Sequence, residues 1–409
     1  MRITGLVILM VASCHAVLGC TCVGVGPACS EAPSANVAAV FLGTVESVGT
    51  PSALDILGGD RVTSATPFGG TIEVTITVQE AFKGVNSKKV IVRTASSEAA
   101  CGFPFKKGEQ YLVYSTEWNG HLYTSICQRT RAARFAGEDL VYLRKMESLP
   151  STSEILGTYN RYTFDPNFVP KFTPSLMDHY RPPEEWYRAM APMAGETATV
   201  TSRTGAVFET KVGADGKFLF TGLAPGKYGI KVSVPAGLAP PIGWVSGKGF
   251  WTNSFEVLPK GCAEVTFRTQ PDGHITGRIV TGRGRPLTNV EVCVCNVKKK
   301  FNLYQCDGRA HNEPDGTFDI GPLPPGKYVL GAYVWTLPQG YPAMADDRDR
   351  LTNATLRFFP GTSQHDLAKP IAVDFGQHVP GISLIIPFSP DAWTDVKLAP
   401  GTETTIKKN

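Results

Sequence analysis

The sequence predicts a mainly β protein, and three observations carry that prediction. Glycine and proline are abundant, at 42 and 31 of 409 residues, which favours turns over long helices. Short apolar or alternating runs recur between turn residues. One sixteen-residue pattern occurs twice in the second half of the chain. The composition is otherwise ordinary for a globular protein, with 42% hydrophobic and 19% charged residues. At ~150 residues per domain the length suits two or three domains.

The chain opens on Met1-Arg2, a short basic start. Leu6 to Ala12 is continuously apolar, and Val17-Leu18-Gly19 precedes Cys20. Residues 1–19 read as an export signal, too short to anchor by spanning a bilayer. No later stretch approaches ~20 apolar residues, so no transmembrane helix is expected. Two processing routes compete. Signal cleavage after Gly19 would leave a free amine on Cys20. Alternatively, Val17-Leu18-Gly19-Cys20 resembles a bacterial lipobox, which would make Cys20 a lipid anchor and the sole link to a membrane. Of ten cysteines, Cys14 leaves with the signal. Nine remain, and lipidation of Cys20 would leave an even number for disulfides.

Residues 20–150 form the first unit. Ala39 to Val45 reads as a buried strand. Thr71 to Val78 alternates as a half-buried one, and Lys89 to Thr94 and Tyr111 to Tyr114 continue the set. Residues 136–146 suit one terminal helix, with Leu140, Tyr142 and Leu143 available to pack. Spaced strands and a late helix predict a small closed barrel.

Residues 151–268 and 269–390 form a duplicated pair, followed by a tail over 391–409. Gly213-Ala214-Asp215-Gly216 through Pro225-Gly226-Lys227-Tyr228 reappears as Glu313-Pro314-Asp315-Gly316 through Pro325-Gly326-Lys327-Tyr328. Each copy has an Asp-Gly hairpin signal, an aromatic and aliphatic run, a Pro-Gly turn and a strand led by tyrosine. Ile155-Leu156-Gly157-Thr158 and Ile275-Thr276-Gly277-Arg278 are the matching first strands. A repeat of this size indicates duplicated domains. The first copy is interrupted between Tyr159 and Ala194 by a stretch rich in proline and aromatics. Disordered linkers are aromatic-poor, so this stretch is expected to pack as an ordered insertion.

The motifs of the first unit carry a resemblance. Cys20-Thr21-Cys22-Val23, Phe41-Leu42-Gly43-Thr44-Val45, Phe82-Lys83-Gly84, Cys101-Gly102-Phe103, Gly108 to Tyr114, and Cys127 before Arg129-Thr130 follow in order. This series resembles the netrin-type module of the tissue inhibitors of metalloproteinases. The resemblance implies an OB-fold barrel, with Cys20 paired to Cys101 and Cys22 to Cys127. Cys29 is then left over, or takes the place of a lipidated Cys20 opposite Cys101. The family's third bridge in this module has no sixth cysteine to complete it. The duplicated pattern is similar to carboxypeptidase-regulatory-like, transthyretin-related β-sandwiches, including collagen-adhesin B-type modules. That family fixes a fold and leaves function open. Some of its members carry a Lys–Asn isopeptide bond. The strand Ile275 to Val280 has no lysine, so none is expected in the last domain.

Charge and motifs exclude several functions. The net charge is +4, from 40 basic and 36 acidic residues. With Lys298-Lys299-Lys300 as the one basic block, nucleic-acid binding is not expected. No His-Glu-x-x-His helix, nucleophile elbow or phosphate loop occurs. The histidines His121, His179, His274, His311, His365 and His378 are scattered and read as surface residues. Asp346-Asp347-Arg348-Asp349-Arg350 reads as a solvated loop, and Asn353-Ala354-Thr355 is a glycosylation sequon with meaning only in a eukaryotic host. Cys262, Cys293, Cys295 and Cys306 form a set for which export favours disulfides over zinc. A turn at Lys299-Lys300 would put Cys293 opposite Cys306, although three connectivities stay open.

No catalytic residue, metal site or cofactor is therefore expected. The function predicted is that of an exported, non-catalytic modular protein. It would have a binding or structural role at the cell envelope or in the extracellular space, with a protein or glycan partner. The alternative follows from the resemblance: inhibition of an extracellular metalloprotease. In that mechanism the free amine and carbonyl of Cys20 chelate the protease zinc. Thr21 enters the specificity pocket, Cys22 staples the segment and Val23 lies on the adjacent ridge.

Overall fold

The computed structural model describes residues 20, 22, 24–50, 70–163, 189–246, 254–282, 284, 286–287, 290–298, 301, 306–334 and 356–386. The signal stretch 1–19, Thr21, Val23, residues 164–188 of the insertion with His179, Lys299-Lys300, the Asp346–Arg350 cluster, the Asn353 sequon and the tail 391–409 lie outside these residues.

The first unit contains α1 (Ala28–Glu31), β1 (Ala39–Val48), β2 (Thr71–Lys83), β3 (Lys89–Ala95), β4 (Gln110–Trp118), β5 (His121–Tyr123), β6 (Arg131–Ala132) and α2 (Gly137–Lys145). The strands run β1-β2-β3-β5-β4, and β4 pairs back onto β1 to close a five-stranded, OB-fold-like barrel. β1 is apolar on both faces because it is covered on both. Phe41 and Val45 point into the barrel with Val74, Ile76, Val92 and Val113. Val40 and Leu42 face outward beneath Leu143 and Ala136, with Leu140 and Tyr142 against them. A strand buried on both faces needs no alternation. β2 runs five residues beyond the alternating stretch, through Phe82 and Lys83. The Lys83 ammonium donates to the carbonyls of Ala32 (2.9 Å) and Ser34 (2.7 Å), tying the N-terminal segment to the barrel.

The first sandwich contains β7 (Ser153–Thr163), β8 (Ala189–Pro192), β9 (Thr197–Ser202), β10 (Val207–Lys211), β11 (Lys217–Leu223), β12 (Gly226–Val232), β13 (Ile242–Val245), β14 (Phe255–Val257) and β15 (Cys262–Thr269). One sheet has the order β10-β9-β12-β14, and the other β11-β7-β15-β13 with β8 on β7. Ile155, Phe218, Val265 and Phe267 from one sheet meet Ala198, Val200, Tyr228 and Val257 from the other. β7 and β8 form the antiparallel root of the insertion, from Asn160↔Pro192 to Thr163↔Ala189.

The second sandwich contains β16 (Gly273–Thr281), β17 (Val290–Asn296), β18 (Gly308–His311), β19 (Thr317–Leu323), β20 (Gly326–Val334), β21 (Arg357–Phe358), β22 (Ile371–Val373) and β23 (His378–Ile386). Its sheets are β19-β16-β23 and β18-β17-β20-β21, with β22 on β20. The two copies repeat in detail. β7 pairs antiparallel with β11 and parallel with β15, and β16 pairs the same way with β19 and β23. Gly216 and Gly316 adopt φ of 80° and 82°, a region open to glycine at little cost. The carboxylates of Asp215 and Asp315 each accept the N–H two residues on, both at 3.0 Å. Tyr228 donates to the Ala224 carbonyl (2.7 Å), and Tyr328 to that of Pro324 (2.6 Å). Each tyrosine thus locks the Pro-Gly turn that precedes its own strand.

Candidate functional site

The Cys20–Cys22 segment is positioned by two loops at one end of the barrel. Cys20 is bonded to Cys101 and Cys22 to Cys127, with Cα separations of 5.3 and 5.0 Å. The loops carrying the two anchors are themselves joined, since the Ile126 N–H donates to the Cys101 carbonyl at 3.0 Å. Cys101 takes a left-handed φ of 65° at the end of a short turn. Cys20 is half-buried and Cys22 exposed.

A buried ion pair fastens the segment that follows. The Arg129 guanidinium grips both Asp139 carboxylate oxygens at 2.7 Å. It also donates to the Gly26 carbonyl. Asp139 is only 2% exposed and accepts as well from the Tyr114 hydroxyl at 3.4 Å. Burial, then the Asp139 charge, raises the Tyr114 phenol well above its usual range. Although burial opposes it, the bonds to Asp139 raise Arg129 as well. One arginine therefore joins the N-terminal segment to α2.

Cys29 marks a departure from expectation. It pairs neither within the barrel nor opposite Cys101, but with Cys262 at the start of β15, across a sequence separation of 233. The cysteines do not divide into closed sets for head and sandwiches. Tyr142 donates to the Lys260 carbonyl (2.9 Å), and the Lys260 ammonium to that of Glu147 (2.7 Å), beside this bridge. Burial pushes the Tyr142 phenol up to about 12. Cys293 is bonded to Cys306. The ladder pairs Cys293 with Arg309, not with Cys306. Cys306 lies two residues before β18 begins and closes the bond from the loop. Cys295 lies outside these four pairs and is buried beside the last of them.

A second constellation joins histidines that the sequence leaves scattered. His274 and His378 are paired in register on the parallel strands β16 and β23, and their ring centroids lie 4.6 Å apart. Asp272 reaches both, with 3.2 Å from Oδ1 to His274 Nε2 and 3.5 Å from Oδ2 to His378 Nε2. Asp319 holds His274 Nδ1 at 2.6 Å. Burial lowers the His274 pKa, but the bonds and charges of Asp319 and then Asp272 outweigh it and leave a net rise. No motif spacing announces this group. Its members meet only because the last strand of the sandwich returns beside the first.

No protein-family model matches the chain, and no curated protein matches it. Solved structures give distant likenesses. The Bacillus anthracis TIE protein is 14% identical over 86% of this chain, with a TM-score of 0.22. This chain spans 48% of that protein's length. The minor pilin GBS52 of Streptococcus agalactiae is 13% identical over 58% of this chain and 98% of its own, with a TM-score of 0.19. The shaft pilin SpaA of Lactobacillus rhamnosus GG is 10% identical over 58% and 99%, with a TM-score of 0.19. Likenesses this distant carry no argument about function. Among the described residues no helix is long and apolar enough to cross a membrane.

Proposed function

We propose that this chain is an exported, non-catalytic modular protein that binds a protein or glycan partner at the cell envelope or outside the cell. In this reading a netrin-like head is carried on two transthyretin-related sandwiches. The observation that carries it is the Cys29–Cys262 bridge between head and first sandwich. Disulfides persist in oxidising compartments, and this one ties two modules into a single covalent unit. Such a tether suits a presenting scaffold. The strand order of the barrel and its Cys-x-Cys staple support the netrin-like reading of the head. The test is expression of the full chain in a secreting host, with N-terminal sequencing and non-reducing peptide mapping. Export with Cys20 first and the four bridges formed is expected. Retention in the cytoplasm with reduced thiols overturns the proposal.

A second reading is metalloprotease inhibition. It is supported by the two bridges that hold Cys20 and Cys22 at the barrel end. A free α-amine and the carbonyl of Cys20 would together chelate a catalytic zinc and displace its bound water. A Cys20 lipidated through its sulfur could not keep the bond to Cys101, so the lipid anchor and this arrangement exclude one another. Inhibition by the mature protein across a metalloprotease panel is expected, with loss on adding one residue before Cys20. Full activity after that addition rejects the mechanism, and weaker inhibition by Thr21→Gly would support the pocket role of Thr21.

A further inference from the structure

The geometry points to a divalent transition-metal site, of the zinc class, formed by His274, His378 and Asp272 where the two sandwiches meet; we propose it as a binding function of the second sandwich. The three residues can each offer one ligand atom, and these atoms lie within 4.8 Å of one another. Tetrahedral ligands about 2.0–2.1 Å from zinc are about 3.3 Å apart. Asp272 presents Oδ1 at 3.2 Å from His274 Nε2 and Oδ2 at 3.5 Å from His378 Nε2, so each imidazole lies near that spacing from one of the two carboxylate oxygens. Two imidazoles and a carboxylate form a borderline donor set that selects zinc-like ions over calcium or magnesium.

Two further features belong to such a site. The first is Asp319. By accepting from His274 Nδ1–H it fixes the ring so that Nε2, which faces Asp272, is the nitrogen that exchanges its proton for a metal. A carboxylate behind a metal-binding histidine fixes its tautomer and orientation in this way. The second is Gly321 on β19, over which the His274 ring lies. A Cβ at that position would come within 2.5 Å of ring atoms Cε1 and Nδ1, so the imidazole rests where only glycine leaves room. The backbone holds the rest. The Asp272 N–H donates to the Gly237 carbonyl (3.0 Å) and the His274 N–H to that of Gln377 (2.9 Å). His378 is 58% exposed and Asp272 and His274 are partly so, which leaves a fourth position open to water or to a donor from a partner molecule.

The competing account is a charge cluster, with an imidazolium held between two carboxylates and no metal affinity. The experiment is calorimetric titration of the oxidised, EDTA-treated full chain with zinc chloride, repeated with cobalt(II) to read the visible absorption of a tetrahedral site. One equivalent is expected, with an increase in the melting temperature of the zinc-loaded protein that EDTA reverses. His378→Ala should weaken binding at least about 100-fold. Asp319→Asn should weaken it by about 10–100-fold, the range typical of outer-shell partners. His378→Gln, at an exposed position, keeps the question open to test if an alanine variant folds poorly. Absence of stoichiometric binding, or unchanged binding in either His378 variant with a native melting profile, overturns the proposal. Neither outcome bears on export or on the head, so this site and the proposed function fail separately.

Discussion

Replacing Cys29 and Cys262 together by serine removes the covalent link between barrel and first sandwich. The shortest path around this bridge runs from Cys29 back to Cys22, across to Cys127 and on to Cys262, about 140 residues. Closing a loop of that size removes about 17 cal/mol/K of chain entropy from the unfolded state, or ~5 kcal/mol at 25 °C. Because the dependence is logarithmic, the full separation gives nearly the same figure. Relaxation in the native state lowers what is realised, so a loss of about 3–5 kcal/mol is expected. Among the described residues, two Lys260-centred hydrogen bonds remain across the junction, each worth about 1 kcal/mol, beside the packing of α1 on β15. They cannot replace the bridge. Scanning calorimetry of the oxidised protein should show barrel and first sandwich melting in one transition. In the double variant the midpoint should fall by roughly 10 °C, at about 2–4 °C per kcal/mol for a unit of this size, and the transition should divide. A fall below about 2 °C with one transition preserved would refute the view that this disulfide couples the two modules.

Three other outcomes are expected. Arg129→Met removes both 2.7 Å bonds to the buried Asp139 carboxylate and leaves only the longer 3.8 Å contact with Arg131; it should cost about 3 kcal/mol in denaturant unfolding of the transition that contains the head, and a loss under about 1 kcal/mol counts against the pair. Tyr328→Phe removes the bond that locks the Pro324–Pro325–Gly326 turn and should cost about 1–2 kcal/mol. Tyr228→Phe should do the same in the transition that the first sandwich shares with the barrel, and Tyr328→Phe should leave that transition unchanged. Finally, bonds from Lys89 and Thr77 hold Glu46 below its ordinary pKa, and those from Arg144 hold Glu80 below. Bonds to Lys217 and Thr317 do the same for Asp215 and Asp315. Carboxyls depressed on folding bind fewer protons in the native state, so their contribution is complete above the unfolded values near pH 4 and fades as pH falls through the folded ones. Melting temperature should decline as pH is lowered below about 4; a rise over that range would reverse the assignment.

Much of the fold is legible locally. The Asp-Gly and Pro-Gly-Lys-Tyr signals mark the turns of both copies, because an Asx turn and a φ near 80° depend on two or three adjacent residues. The alternation in Thr71 to Val78 marks β2 for the same reason, although the strand continues to Lys83 under cover of the N-terminal segment. What escapes is non-local. Nothing near Cys29 names Cys262 as its partner, and dividing the cysteines by module assumes that each module closes on itself. Symmetry about Lys299-Lys300 puts Cys306 opposite Cys293, yet the ladder register is displaced to Arg309. His274 and His378 meet through strand order alone, which periodicity does not encode.

The parallel pairing of first and last strands in the second sandwich, β16 with β23, determines how a pull along the chain is met there. In the first sandwich the Cys29–Cys262 bridge passes the load directly to the start of β15, but in the second it enters at one end of the first strand and leaves at the opposite end of the last. The hydrogen bonds between them are therefore loaded side by side, in shear, and must yield together. An antiparallel hairpin pulled at its open end would lose its bonds singly and in sequence, as a zip does. The second sandwich thus resists extension by geometry, independently of its thermal stability.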